Sequence, residues 1–131
     1  MDGATPAAPD FAGVTALMAD YFDGLYHSDA ARLGRVFHQQ AVYACATEGR
    51  LTHLTMDAYL PLVAARQSPA SRGEVRRDEV VSITFAGPVT ALVQARCAIG
   101  PKHFTDFLSL VKLDGRWQII AKTFHFDLTE A

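Results

Sequence analysis

Residues 103–127 read HFTDFLSLVKLDGRWQIIAKTFHFD. Asp114-Gly115 tolerates the positive φ of a tight turn, so this stretch predicts two long antiparallel strands, His103 to Leu113 and Arg116 to Asp127. On the first strand Phe104, Asp106, Leu108 and Leu110 share one face. A carboxylate among apolar neighbours needs either a partner or a chemical task. The register decides which partner it finds. With a three-residue loop, Asp106 faces Lys122, Thr105 faces Thr123, Phe104 faces Phe124 and Leu108 faces Ile120. With a two-residue loop, Asp106 faces Thr123 and His125 becomes its diagonal neighbour, an acid–imidazole dyad. Pair chemistry favours the first.

Upstream of this hairpin, Val81, Ile83 and Phe85 alternate with Ser82 and Thr84, and Gly87-Pro88 leads into a strand from Val89 to Ile99. The four strands form a meander. Before Gly73 the periodicity is helical: Phe11, Val14, Leu17, Met18, Tyr21, Phe22 and Leu25 mark one face of a helix from Phe11 to His27, with Asp10 as its N-cap. A second helix is expected from about Asp29 to His38, and a short hairpin over Ala41–Thr47 and Leu51–Leu54. A third helix follows Thr55, with Pro61 expected to kink or delay it. Helices first and strands afterwards is an α+β order.

The 131 residues, half of them hydrophobic and 20% charged, suit one domain over residues 11–131 behind a flexible tail at 1–10. A net charge of −2 provides no basic field for nucleic acid or an anionic membrane. The longest apolar run, near Tyr59 to Ala65, is far below the roughly 20 residues of a membrane span. Cys45 and Cys97 lack Cys-x-x-Cys spacing and are expected to be reduced, buried thiols of a cytoplasmic protein. His27, His38, His53, His103 and His125 stand singly, so no metal site and no cofactor are expected. The sequence has neither a glycine-rich phosphate loop nor a Gly-x-Ser-x-Gly elbow. Arg72, Arg76 and Arg77 alternate with Glu74, Asp78 and Glu79 as a solvated mixed-charge entry to the sheet.

Tyr21-Phe22-Asp23-Gly24-Leu25-Tyr26, Leu33 through Phe37-His38, Thr105 through Leu110, and Asp114-Gly115-Arg116-Trp117 with Lys122 resemble the nuclear transport factor 2-like superfamily, most of all its lumazine-binding branch. The resemblance implies a cystatin-like cone in which N-terminal helices pack on a curved antiparallel sheet around an internal pocket. It also implies a homodimer through the outer face of the sheet. Beside a ketosteroid isomerase, Tyr21 falls at the oxyanion-hole tyrosine and Asp106 near the second acidic position, but Cys45 stands where the catalytic aspartate would be.

Two functions are carried forward. One is a noncatalytic protein that binds a small apolar or aromatic ligand through Tyr21, Tyr43, Tyr59, Lys122 and Leu108, its acid locked to Lys122. The other is a cofactor-independent isomerase, cyclase or dehydratase with Asp106 or His125 as base and Tyr21 as electrophilic donor.

Overall fold

The computed structural model describes residues 8–129. The expected tail lies mostly outside these residues, as does the end of the domain at 130–131. Helix α1, Phe11–Tyr26, is capped by Asp10, whose carboxylate accepts from the Gly13 amide at 3.0 Å. The same carboxylate accepts from Trp117 Nε1 at 2.8 Å and Lys112 Nζ at 3.0 Å, so one side chain starts the helix and pins it to the sheet. Those donors, the Trp117 bond first, hold the Asp10 carboxyl below its ordinary pKa.

Ser28 breaks the helix at φ 50°, and Asp29 caps α2, Ala30–Val36, through the Arg32 amide. The two helices approach closely at Gly24, where an added Cβ would lie 2.6 Å from Leu33 Cδ2. The second helix stops sooner than its apolar spacing predicts, because Phe37 turns to extended backbone and opens strand β1, Phe37–Cys45. There the Phe37 ring joins the core and its backbone pairs with Ile119.

Strand β2, Thr52–Thr55, runs straight into α3, Met56–Ala65. Thr55 caps this helix through the Ala58 amide, and the helix continues through Pro61 rather than ending there. A 3-10 turn, Ala70–Arg72, leads to the meander β3 Asp78–Phe85, β4 Thr90–Ile99, β5 Lys102–Leu113 and β6 Arg116–Leu128.

The six strands lie in one open sheet in the order β2-β1-β6-β5-β4-β3. The expectation of a purely antiparallel sheet is corrected at one seam, since β1 pairs with β6 in parallel. The three segments between β1 and the meander carry the chain across the helical face, so β1 meets the last strand running in the same direction. Irregular pairing in β1, β3 and along β5–β6 bends the sheet around the helices. The inner faces meet in a core of Val14, Met18, Tyr21, Leu33, Phe37, Leu108, Leu110 and Ile119, each at most 1% exposed.

At the β5–β6 turn, Asp114 and Gly115 take φ 50° and 76°, giving a two-residue loop with Leu113 opposite Arg116. Pairing then slips by one residue between Ser109 and Leu110, where Ile120 is the unpaired extra residue on β6. Beyond this bulge Asp106 faces Phe124, and Leu108 faces Lys122. The two-residue register thus holds from Leu113 to Leu110, but at Asp106 neither expected pairing is realised, and the bulge returns Lys122 to the inner face as a diagonal neighbour of Asp106.

Candidate functional site

Asp106 is fully buried, and Lys122 is 4% exposed. Tyr21, projecting from α1, donates its hydroxyl to Asp106 Oδ2 at 2.6 Å, and Lys122 Nζ lies 3.9 Å from the same oxygen. Asp106 Oδ1 has no hydrogen-bond partner among the described residues. The ammonium sits over four aromatic rings, those of Phe124, Tyr21, Tyr43 and Phe104, at 5.1, 5.2, 5.4 and 6.0 Å. Ring faces attract a cation and replace part of its lost hydration.

These surroundings keep both donors protonated. Burial, reinforced by the Asp106 charge, pushes the Tyr21 phenol well above the ordinary tyrosine range. Burial works most strongly against the Lys122 ammonium, but Asp106 together with Tyr59, Tyr43 and Cys97 outweighs it, and the net shift is upward. The result is a buried carboxylate held between a phenol and an ammonium, neither of them poised to lose a proton near neutral pH.

The cluster is the floor beneath a cleft of about 400 Å³ at the open end of the cone. Tyr43, Phe104, Phe124 and Phe126 wall this cleft, and the first three of them also cage Lys122. The ligand contacts expected from the sequence thus separate by depth. Tyr43 borders the cleft, Lys122 stands behind its wall, and Tyr21 and Asp106 lie deeper still. Leu108 belongs to the packed core, as does Tyr59, whose ring stacks on Tyr43 at a centroid distance of 4.4 Å.

His125 is corrected outright as a neighbour of Asp106. After the bulge the inward positions of β6 are Lys122, Phe124 and Phe126, so His125 points out, opposite Thr105. Its Nδ1 lies 3.1 Å from Thr47 Oγ1 and its Nε2 2.9 Å from Asp127 Oδ1. Cys45 borders the cleft with its sulfur turned to Thr47. Of the three arginines before β3, two pair with carboxylates, Arg72 with Glu74 and Arg76 with Asp23 and Asp78.

The sequence reading left out Arg66, Phe124 and Phe126, all of which line the cleft. The two phenylalanines had a signal, since they share the inward alternation of Lys122. Arg66 had none, because a cation at a helix end is ordinarily solvated.

Helices folded over a bent sheet, with a polar cluster beneath aromatic rings, define an α+β cone fold. Residues 9–125 match the family described as "Putative lumazine-binding", and the chain belongs to that family. The fold is similar to an NTF2-like protein of unknown function from Shewanella baltica, with a TM-score of 0.81 and 19% identity over 92% of this chain and 95% of that one. It is also similar to one from Silicibacter pomeroyi, with a TM-score of 0.79 and 22% identity over 88% and 94%. A protein named aldolase FrzH from Cladobotryum is 39% identical over 61 residues, which are 45% of this chain and 46% of that relative. The matched part thus spans about half the length of that curated relative.

Proposed function

We propose that the protein binds a flat, largely apolar small molecule in the cleft at the mouth of the cone, without transforming it. The observation that carries this reading is the locked state of the acid. Asp106 is wholly buried and already engaged by Tyr21 and Lys122, while the accessible space lies on the far side of the aromatic rings. Aromatic walls supply dispersion and ring stacking to a planar ligand. Two free cysteines fit a cytoplasmic setting.

The neutral fluorophore N-phenyl-1-naphthylamine tests the cleft. Saturable binding at one site per chain is expected, and Thr52→Trp, which fills the cleft from β2, weakens it by about tenfold or more, roughly the loss of one buried aromatic contact. Unchanged binding by Thr52→Trp would place the fluorophore elsewhere and remove the reading.

A second reading, proton transfer, is supported by the Tyr21–Asp106 contact and by the name of the aldolase relative. Its mark would be loss of turnover in Asp106→Asn with cleft binding retained.

The homodimer implied by the family resemblance is proposed through the outer sheet face, where Leu92 and Phe107 are 45% and 50% exposed. They are diagonal neighbours across β4 and β5. Phe107→Glu places a charge in this apolar patch and is expected to convert a dimer to a monomer in light scattering, with the circular dichroism spectrum unchanged. A monomeric parent protein would refute the proposal.

A further inference from the structure

We infer that the ligand of this cleft is an organic anion, a planar apolar body carrying an acidic group, and that Arg66 is the residue that selects it. The inference rests on the cleft being the binding site and adds the chemistry of its occupant.

Arg66 caps the C-terminal end of α3 and forms part of the cleft wall. Its Nε and Nη2 are both shielded from water, and neither has a hydrogen-bond partner among the described residues. Those two nitrogens form one edge of the guanidinium fork, the edge that matches the paired oxygens of a carboxylate. Shielded donors without acceptors are costly, and on a cation more so. The other arginine lining the cleft is not in this state, since Arg72 holds Glu74. Among the described residues no carboxylate lies within ion-pair distance of Arg66.

The rest of the cleft favours the same sign of charge. Lys102 lines it against a single acid, Glu48, while Arg72 on its wall and Lys122 behind its rings each stand beside a carboxylate of their own, Glu74 and Asp106. Lys102 Nζ lies 4.6 Å from the centre of the Phe126 ring and makes no ion pair among the described residues. The two shielded nitrogens are not exposed to the cleft in this structure, so binding requires the long Arg66 side chain to rotate and bring the fork into the space the residue borders. An acidic group there gains the fork, while the apolar body stacks among Tyr43, Phe124 and Phe126.

The test compares N-phenyl-1-naphthylamine with 8-anilinonaphthalene-1-sulfonate, the same ring system with one anionic group added, by fluorescence titration of the folded protein. The sulfonate is expected to bind about tenfold tighter or better, the scale of one charge-assisted contact. Arg66→Gln should erase that advantage, bringing the affinities for the two compounds together, and a circular dichroism spectrum matching the parent's shows that the variant is folded. Arg66→Lys, which keeps the charge and loses the fork, should retain only part of it. Equal affinities in the parent protein, or an advantage that survives Arg66→Gln, would overturn the anion inference and leave the cleft reading standing. Failure of the neutral compound to bind at the cleft would overturn both.

Discussion

Lys122→Met is expected to destabilise the fold by about 3–5 kcal/mol at neutral pH, the usual cost of leaving one charge of a buried pair without its partner. Asp106 is shut off from water, with the Tyr21 hydroxyl as its hydrogen-bond donor and Lys122 as the neighbouring positive charge. At 3.9 Å the ammonium is a counter-charge rather than a hydrogen-bond partner. It still matters, because little water lies nearby to screen it. The substitution also removes the cation from its four rings, while methionine keeps most of the apolar volume. Asp106→Asn is expected to act in the same direction, since the amide can accept from Tyr21 but offers no charge to Lys122. The pair Asp106→Asn with Lys122→Met should cost much less than the sum of the single changes, because no lone charge remains. Urea denaturation of the four proteins measures this coupling. Single-variant losses below about 1 kcal/mol, typical of an exposed pair, would show that the charges are solvated and that the floor beneath the cleft is not a buried pair.

The contact between Asp106 and Lys122 was legible in residue chemistry, but the geometry that makes it was not. Alternation along 103–127 places Asp106 among apolar neighbours and leaves Lys122 as an attractive partner, and Asp114-Gly115 identifies the turn. The bulge at Ile120 left no comparable mark. Ile119 and Ile120 are adjacent and chemically alike, so either could take the inward position, and sheet curvature makes the choice. That one residue sends His125 outward and abolishes the acid–imidazole alternative. The parallel seam between β1 and β6 was hidden for a related reason, since local composition does not name a strand's partner across some seventy intervening residues. Helix α2 ends early because Phe37 gains more as a core side chain on a strand than as another helical residue. Arg66 is legible only after α3, the β1–β2 hairpin and the β4–β5 turn have converged on the cleft.

Alkaline pH should unfold the protein cooperatively, and the buried groups give the direction. Burial first, and then the Asp106 charge, push the Cys97 thiol up to about 12. Tyr21 and Lys122 are raised as well. In the unfolded chain the three titrate near about 8.5, 10 and 10.4 respectively. Each folded-state value is therefore the higher one, and the folded protein binds more protons than the unfolded chain. The stability these groups contribute is complete below their unfolded values and declines as pH rises through the interval up to the folded ones. From about pH 9 Cys97 alone should lower the stability by roughly 1.4 kcal/mol per pH unit. Above about pH 10.4 the slope becomes about three times as steep as Tyr21 and Lys122 join it. A domain in the lower part of the ordinary stability range, about 5–10 kcal/mol, then loses its fold near pH 11–12. Urea midpoints at intervals from pH 7.5 to 11.5 would trace the decline, and Cys97→Ala should remove its first segment while sparing the steeper one. A midpoint that holds constant to pH 11 would mean that these side chains reach solvent and ionise without unfolding. The enclosed floor assigned to the cleft would fall with that result, because a phenol and an ammonium open to water could not keep Asp106 out of reach of a bound molecule.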